Sequence, residues 1–374
     1  MSTWIELNYQ HLAHNLQLLQ SCAPGVPLWP AVKANAYGHG ATEICHSLRT
    51  LGIETFCVAN AEEALALIER GISARYLVLS PQIDDPASEA IGRGIEFAIG
   101  TFEQLSCLQQ AAHRAQAVVN VHISVDTGMT RGGIDPSMLE RFLADCDAMS
   151  HVHVAGVMTH FPCADDPAHP LAERQLTRFQ ALKTQFKQHL GLTWHIANSA
   201  GLMRLEGAAM DAARPGIALY GLNPFNLNAD VERATTLRPV LDWYARVTHL
   251  AEVPAGTGIS YGHRFVTATP SLIATLAIGY GDGLARNLSD RIAVTIRGQR
   301  CPQVGIITMD QCLVDVSALR GQINLGDTAT LIGSAQGDNT AMDFANLLGT
   351  IHYEIVTNLS PRVVRKVVGI PSIT

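Results

Sequence analysis

The sequence predicts an α/β protein, an N-terminal (β/α)8 TIM-type barrel followed by a mostly β C-terminal domain. Short apolar segments alternate with segments of helical apolar spacing up to about residue 220. Such βα units in series require right-handed parallel crossovers, and about eight of them close a barrel of roughly 250 residues. After about residue 223, strand-like segments separated by Gly-rich turns replace the alternation.

The predicted barrel strands are short runs rich in apolar and β-branched residues. In chain order they are 28–32, 55–59, 75–79, 96–99, 118–125, 153–158, 194–197 and 212–214. Between them, apolar residues recur at the spacing of an amphipathic helix. The helices predicted in this way are 41–51, 61–70, 102–113, 137–149 and 171–190.

The C-terminal domain is predicted from further strand-like runs and one helix. The strands are 241–250, 271–276, 292–296, 303–308, 313–316 and 328–332, and the helix is 341–348. The boundary is expected in the stretch 225–238, which gives a barrel domain at 1–230 and a β domain at 231–374. We expect the first residues of the chain to pair with the C-terminal domain.

Composition and charge exclude several classes of function. The 374-residue chain has a net charge of -7 and shows no cluster of Lys and Arg, which argues against nucleic acid as a partner. No apolar stretch approaches the roughly 20 residues of a membrane helix, and the start lacks the pattern of a secretory signal. The eight cysteines are scattered without a CxxC pair. We therefore expect a cytoplasmic protein without disulfides, membrane attachment or a metal site.

Lys33 follows the first predicted barrel strand and precedes a loop of small residues that contains Tyr37. Burial of a charged amine without a partner is costly or drives the amine neutral. A neutral, partly desolvated lysine is a nucleophile toward an aldehyde. The alternative is a lysine that starts a loop and points into water, which is the commoner situation.

Other polar residues stand where predicted strands end, and in parallel barrels the reactive groups lie at the carboxyl ends of strands. These residues are Arg131, His160, Ser199 and Arg214. Each alone is more often a locally hydrogen-bonded structural residue. Gly216 would let backbone N–H groups approach a phosphate beside the Ser199 hydroxyl, after strands seven and eight. A lysine for an aldehyde together with a phosphate cradle indicates pyridoxal 5'-phosphate (PLP).

A series of ordered motifs runs through both predicted domains. They read AVKANAYGHG at 31–40, VDTGMTR at 125–131, THF at 159–161, NSA at 198–200 and RPGIALYG at 214–221. Further along they read ISYG at 259–262, AIGYGDG at 277–283, MDQ at 309–311, YEI at 353–355 and SPR at 360–362. In these motifs the chain resembles, nearly end to end, the alanine racemase family of fold-type III PLP enzymes. The resemblance implies interconversion of L- and D-alanine, either for cell-wall peptidoglycan or for catabolic L-alanine supply.

The resemblance also implies a pair of acid/base groups. Lys33 holds PLP and is one of them, and Tyr261 is the other. Racemisation removes the α-proton from one face of the substrate and returns a proton to the opposite face. In the family the lysine takes the proton from the D-enantiomer and the tyrosine takes it from the L-enantiomer. A phenol is a poor base near neutral pH unless its pKa is lowered, and His160 and the arginines are placed to help.

Further roles come from the same resemblance. The cofactor-binding residues are Lys33, Tyr37, His160, Ser199, Arg214, Gly216, Ile217 and Tyr353. Arg214 faces the pyridine nitrogen, to which it donates without protonating it. The substrate carboxylate meets Arg131 and the backbone of Met309. Tyr261 and Met309 come from the neighbouring subunit, so a complete site requires a homodimer.

Three positions depart from the family pattern. Ser124 stands where a lysine, often carbamylated, steadies the arginine numbered Arg131 here. A serine hydroxyl cannot carry a carbamate, so we expect a bound anion such as chloride, or water, or a less firmly held Arg131. Gly132 replaces a bulkier apolar residue, and Val364 replaces a proline. Both of these concern packing and not the reaction.

Single residues distinguish alanine racemisation from several alternative functions. Tyr353 narrows the pocket near the substrate side chain and favours alanine, with serine as a second substrate. A fold-type III amino acid decarboxylase would place a carboxylate where Arg214 stands. A PLP-carrying homeostasis protein would lack the β domain with Tyr261 and Met309. A degenerate domain that only binds or regulates would be expected to lack Lys33 or Tyr261, and both are present.

Overall fold

The computed structural model describes residues 2–81, 87–225 and 231–371. The chain forms two compact units, each discontinuous in sequence. The β unit comprises Met1–His11, Tyr37–Glu43 and Pro239–Thr374, and the barrel unit comprises Leu12–Ala36 and Ile44–Arg238. Residues 226–230, part of the stretch 225–238 in which the domain boundary is expected, lie outside the described residues.

The helices and strands of the described chain have the following bounds. The helices are α1 (Tyr9–Cys22), the short turn α2 (Lys33–Tyr37), α3 (Ala41–Thr50), α4 (Ala61–Glu69), α5 (Ala87–Gly92), α6 (Phe102–Ala115), α7 (Leu139–Asp147), α8 (Leu171–Gln185), α9 (Ser199–Arg204), α10 (Ala341–Leu348) and α11 (His352–Thr357). The strands are β1 (Thr3–Asn8), β2 (Thr55–Val58), β3 (Arg75–Val78), β4 (Glu96–Ile99), β5 (Val119–Ser124), β6 (Val152–Met158), β7 (Thr193–His195), β8 (Leu241–Val253), β9 (Gly258–Ile259), β10 (Phe265–Val266), β11 (Ser271–Leu276), β12 (Ala293–Ile296), β13 (Gln299–Pro302), β14 (Cys312–Asp315), β15 (Thr328–Ile332) and β16 (Val364–Val368).

The barrel unit contains a parallel sheet in the order β2-β3-β4-β5-β6-β7. Residues 28–32 extend it, because they bridge β2 on one side and residues 212–214 on the other. The Arg214 N–H donates to the Ala197 carbonyl just beyond β7, at 2.8 Å. The two edges of the sheet therefore meet, and eight extended segments of the described chain close a barrel. This confirms the predicted fold class.

The sequence explains why these segments form a barrel. Strands β2 and β4 are buried along their whole length, as expected for parallel strands covered on both faces. Helix α4 begins at the N-cap Asn60, whose side chain accepts from the Glu63 N–H, and α6 begins at the N-cap Thr101 in the same way. Within the described ranges, none of the helices has the length and apolar character to cross a lipid bilayer.

The β unit is built around a mixed sheet in the order β13-β12-β15-β8-β1-β16, and β11 joins β8 to β14. The first strand of the chain lies inside this sheet. It runs antiparallel to β8 and parallel to β16. The strand β16 and the helix α11 were absent from the sequence expectations.

The predicted strand at 303–308 was wrong. Its ladder contact in the described chain is an isolated bridge between Gln303 and Val314. Gly305 has a φ of 74°, and its N–H donates to the Asp290 carboxylate instead of to a neighbouring strand. Buried apolar residues, among them Ile306 and Ile307, produced a strand-like pattern where the backbone is irregular.

Candidate active site

Lys33 stands at the carboxyl end of the first barrel segment and begins a left-handed turn. The Val32 N–H still donates to Cys57 of β2, at 2.8 Å. The residues 34–37 then all have φ between 51° and 53°. A left-handed conformation costs an L-residue roughly 1–2 kcal/mol each. The lysine is therefore held by an uncommon backbone that the rest of the barrel must stabilise.

The amine of Lys33 is half-buried and makes no hydrogen bond or ion pair with any described residue. Burial lowers the pKa of Lys33, and the positive charge of Arg131 lowers it further. Glu63 opposes this shift, and Arg214 adds a smaller lowering effect. A lysine of lowered pKa without a partner has the properties of a nucleophile and a general base.

Arg131 follows a loop that is organised by one carboxylate. The Asp126 Oδ1 accepts from the N–H groups of Gly128, Met129 and Thr130, at 2.9, 3.0 and 3.1 Å. Arg131 itself is exposed, and its guanidinium bonds to none of the described residues. The loop is thus fixed while the cation at its end is available for an anionic ligand.

His160 lies among the cations of this end of the barrel. Burial and the positive charges of Arg214, Arg131 and Lys33 lower the pKa of His160 to about 3. The imidazole is therefore neutral near pH 7. It can take part in hydrogen bonds but adds no positive charge to the site.

Arg214 is the first of a row of hydrogen-bonded side chains that runs through the barrel interior. Its Nη1–H donates to His195 Nδ1. The His195 Nε2 is 2.8 Å from His122 Nδ1, and the His122 Nε2 is 2.9 Å from Glu96 Oε2. Arg75 closes the file with a bidentate contact to Glu96, at 2.8 Å and 3.1 Å. We call these five residues the interior file.

The direction of every bond in the interior file follows from Arg214. A guanidinium only donates, so His195 Nδ1 accepts and its Nε2 carries the proton. The same reasoning makes His122 Nδ1 an acceptor and its Nε2–H the donor to Glu96. Burial lowers the pKa of both histidines. Burial alone would raise the pKa of Glu96, but His122 and Arg75 hold it below its usual value.

The Arg214 side chain is 4% exposed and is fixed further by its Nη2–H, which donates to the Thr159 carbonyl at 2.7 Å. Its Nε–H takes part in none of these bonds. Burial lowers the pKa of Arg214 to about 10, which still leaves it protonated near pH 7. The barrel therefore presents a charged group whose Nε–H is available to a ligand.

Ser199 and the short 3-10 helix Ile217–Tyr220 form a set of anion-binding groups. The Ser199 Oγ accepts from the N–H groups of Gly216 and Ala218, at 2.9 and 3.3 Å. The buried N–H of Ile217 donates to no described residue. N–H groups that converge at a turn with a hydroxyl are suited to a phosphate.

The remaining predicted cofactor-binding residues, Tyr37 and Tyr353, belong to the β unit. Their ring centroids are 6.2 Å apart. The pair depends on close backbone packing, because a Cβ at Gly38 would lie 1.7 Å from the Val356 carbonyl oxygen. Gly38 also has a φ of 77°, so both the close contact and the backbone conformation favour glycine at this position.

Tyr261 and Met309 lie on neighbouring loops of the β unit. Tyr261 is 71% exposed and Met309 is 54% exposed. The two loops are joined by the Ser260 hydroxyl, which donates to the Ile306 carbonyl at 2.7 Å. Large exposed side chains on ordered loops are typical of a contact surface.

Arg362 connects the Met309 loop to the motif at 277–283. It donates to Asp282 at 2.7 Å and to Asp310 at 2.9 Å. The Gly281 N–H donates to the Met309 carbonyl at 2.9 Å. Three sequence motifs of the second half are therefore brought together in one part of the β unit.

Sequence reasoning missed two sets of residues. The interior file was signalled by histidines inside otherwise apolar strand segments, His122 and His195. Buried polar groups in a core require partners, so these positions predict a network without naming its members. Glu63 was signalled by the cap pattern that begins at Asn60, but this pattern predicts only a helix start. The contact of its carboxylate with the Ala34 N–H, 29 residues away in sequence, is tertiary.

The chain is similar to known proteins over nearly its full length. The family models for the alanine racemase N-terminal domain and C-terminal domain match residues 7–224 and 240–367. Alanine racemase 2 of Caldanaerobacter subterraneus subsp. tengcongensis is 36% identical over 97% of this chain and 94% of the relative. An alanine racemase of Nostoc sp. is 36% identical over 97% of this chain and 95% of the relative. The crystal structure of alanine racemase from Streptomyces lavendulae has a TM-score of 0.89 and 32% identity, over 99% of this chain and 98% of that one.

A closed parallel barrel that gathers an amine, two guanidinium groups and an anion cradle in one unit defines a barrel enzyme with an anionic ligand. The family models and the relatives identify which family within this class the chain belongs to. The chain belongs to the alanine racemase family and is an isomerase.

Proposed function

We propose that this chain interconverts L-alanine and D-alanine with PLP as its cofactor. The observation that carries the proposal is the Lys33 amine, which is half-buried, lowered in pKa and without a partner among the described residues. Family membership supports alanine racemisation as the reaction. When bound, PLP stabilises the negative charge that develops at the substrate α-carbon as its proton is removed.

The unused donors of the barrel unit fit PLP. The Lys33 amine would hold the cofactor covalently, and the Arg214 Nε–H would donate to the pyridine nitrogen. The Ser199 hydroxyl and the unpaired Ile217 N–H would bind the phosphate, and Gly216, whose N–H donates to the Ser199 Oγ, would lie beside them. In the same proposal, Tyr37, Tyr353 and neutral His160 are further cofactor-binding residues.

Proton transfer needs a group on each face of the α-carbon. We assign the Lys33 Nζ to the proton taken from D-alanine and the Tyr261 Oη to the proton taken from L-alanine. His160 is neutral near pH 7, so it adds no positive charge beside the substrate.

The high exposure of Tyr261 and Met309 supports a site shared between subunits. We propose a homodimer in which the Tyr261 of one protomer serves the Lys33 of its partner. Arg131 and the Met309 N–H would bind the substrate carboxylate. The proposal places the protein in the cytoplasm, with a functional division of the chain near residue 230.

Serine is the second candidate substrate, because it differs from alanine by one hydroxyl. Tyr353 favours alanine by narrowing the space for the side chain, and a pocket that merely fits alanine would discriminate modestly against serine. A decarboxylase would need a carboxylate at the pyridine nitrogen, where the protein has Arg214.

The test is a chiral separation of products. Purified protein with PLP and L-alanine is expected to yield D-alanine, and the reverse reaction is expected from D-alanine. Tyr261→Phe keeps the ring and removes the acidic hydroxyl, so both directions should slow by at least about 100-fold, within the range of general acid/base catalysis. Racemisation at the parental rate by Tyr261→Phe would overturn the two-base assignment.

A further inference from the structure

The turn that follows Lys33 has a left-handed backbone. Residues 34–36 have φ and ψ near 50°, and Tyr37 continues with a φ of 52°. Such a run is unfavourable for residues other than glycine. Within the turn, the Ala36 N–H donates to the Val32 carbonyl at 2.8 Å. The Ala34 N–H points away from the backbone ladder, so another group has to satisfy it.

Glu63 supplies that group. Its Oε1 accepts from the Ala34 N–H at 2.7 Å, and its Oε2 accepts from the Ala59 N–H at 2.8 Å. Ala34 follows Lys33 directly, and Ala59 is the first residue after β2. One carboxylate therefore ties the ends of two neighbouring barrel segments, at the point where their shared ladder stops.

Glu63 is itself firmly placed. It lies in the first turn of α4, and its own N–H donates to the N-cap Asn60 at 2.9 Å. A helix-borne carboxylate with both oxygens bonded has little freedom. Its negative charge also acts on Lys33, since it opposes the lowering of that amine's pKa.

We propose that Glu63 is a positioning residue for Lys33: by holding the Ala34 and Ala59 amides together, it fixes the left-handed turn that aims the lysine amine. The inference rests on the proposed function for the role of Lys33, while the contacts themselves do not. A purely local role for Glu63 in starting α4 is the competing explanation.

Glu62 separates these explanations. It lies beside Glu63 in the same first turn of α4, and it is exposed. Both carboxylates complement the helix dipole equally. A change from Glu to Gln at position 62 therefore matches the charge change of Glu63→Gln in the first turn of α4, while it leaves the Ala34 and Ala59 contacts of Glu63 intact.

The first measurement is hydrogen exchange on the full-length protein without added PLP, followed on peptides that cover residues 30–36 and 57–60. Glu63→Gln leaves one acceptor oxygen for two N–H groups, so exchange in at least one peptide should accelerate about tenfold or more. Glu63→Ala should accelerate exchange in both. Glu62→Gln should match the parent in both.

The second measurement is PLP binding by absorbance, with kcat and KM at saturating PLP. Glu63→Gln should weaken PLP binding and lower kcat by about tenfold to 100-fold. The KM for alanine should stay within about twofold, since the proposed carboxylate ligands Arg131 and Met309 are unchanged. A merely structural loss would lower the amount of folded enzyme without this division between kcat and KM.

A compensating variant tests the strain directly. Glycine adopts a left-handed φ without a steric cost, so Ala34→Gly in the Glu63→Gln background should restore part of the lost kcat. If Glu63→Gln does not fold, Glu63→Asp takes its place. Its shorter carboxylate keeps the charge but cannot reach both amides, so its kcat and PLP affinity should still fall below those of the parent.

The inference is overturned if Glu63→Gln retains parental exchange and PLP affinity, or if Glu62→Gln loses as much as Glu63→Gln. It is distinguishable from the proposed function. A parent that does not racemise alanine, with exchange and PLP affinity still sensitive to Glu63, would refute the reaction and keep the positioning role. A parent that racemises alanine, with hydrogen exchange and PLP affinity unchanged in Glu63→Gln, would refute the positioning role and keep the reaction.

Discussion

At the scale of single residues, the chemistry of this protein depends on cations that are kept without partners. Lys33 and Arg131 make no ion pair with the described residues, and Arg214 keeps its Nε–H unused. Unpaired cations close together are unfavourable in the absence of an anion. The barrel unit therefore offers unpaired cationic groups to anionic ligands such as the phosphate and the carboxylate of the proposed function.

Arg131 gives the first prediction at this scale. Ser124 cannot carry a carbamate, so a small anion should occupy the space near Arg131 and hold its guanidinium. Replacement of chloride in the buffer by a bulky anion at constant ionic strength should raise the KM for alanine several-fold, with a smaller effect on kcat. Steady-state kinetics at matched ionic strength measure this.

Ser124→Lys is the matched variant for the chloride prediction. With bicarbonate present, the new lysine can take up a carbamate and supply the negative charge covalently. Its KM should then be independent of chloride. A density map of the parent with a carboxylated lysine beside Arg131, or a parent indifferent to chloride, would refute the prediction.

At the scale of secondary structure elements, the interior file places ionisable side chains inside the barrel. Strands β4, β5 and β7 each contribute one buried polar side chain to it: Glu96, His122 and His195. Buried polar groups lower stability unless all their bonds are made. Here every ring nitrogen of the two histidines has a partner.

The interior file predicts how stability depends on pH. Both histidines have pKa values below the unfolded value of about 6.5, so the unfolded chain binds more protons below that pH. The free energy of unfolding should fall between about pH 6.5 and pH 5, by up to about 1.4 kcal/mol per pH unit for each histidine. The window lies above the range in which Glu96 would titrate.

Chemical denaturation at a series of pH values measures this slope. His195→Gln should be less stable near pH 7 but should lose part of the pH dependence, because one titrating group is gone. His153→Gln, at an exposed position, is the control and should keep the parental slope. Stability that rises toward pH 5 would contradict the assignment of neutral histidines.

Gly38 gives a second prediction for an element, the packing of α11. Gly38→Ala would place a Cβ 1.7 Å from the Val356 carbonyl oxygen, at a φ of 77°. We expect a loss of about 3 kcal/mol or more in the free energy of unfolding. Gly52→Ala isolates the backbone term, because Gly52 has a φ of 87° and nothing within 4 Å, and it should cost about 1 kcal/mol. Equal losses for the two variants, measured by denaturation, would contradict the contact.

The sequence predicted most barrel elements because apolar runs of strand length end at small or polar residues. Observed strands such as β2 and β3 lie within one residue of their predictions. The left-handed turn after Lys33 could not be predicted, because alanine and asparagine carry no strong signal for four consecutive positive φ values. The contacts of Glu63 and Arg214 also depend on tertiary pairing, which one sequence does not reveal.

At the scale of the whole molecule, the proposal that Tyr261 and Lys33 of different protomers share a site predicts complementation. Lys33→Ala and Tyr261→Phe homodimers each lack a complete site. A mixed dimer would carry one site with both residues intact and one site with neither. Random exchange of subunits should therefore restore about a quarter of parental activity from two inactive preparations.

Co-expression of the two variants with different affinity tags allows the mixed dimer to be isolated and assayed. The control is the same mixture without exchange, which should stay inactive. If Lys33 acted with the Tyr261 of its own chain, no dimer in the mixture would hold a complete site. Failure to recover activity from a verified mixed dimer would thus exclude the shared site.

The position of β1 has a consequence for how the chain can be divided. This strand comes from the first residues, yet it lies between β8 and β16 inside the sheet of the β unit. The stretch Tyr37–Glu43 belongs to the same unit, although barrel sequence flanks it on both sides. A cut near residue 230 would leave the C-terminal fragment without the strand that joins β8 to β16. Neither of the two compact units corresponds to one continuous stretch of sequence. A fragment made by a single cut of the chain therefore lacks part of a unit.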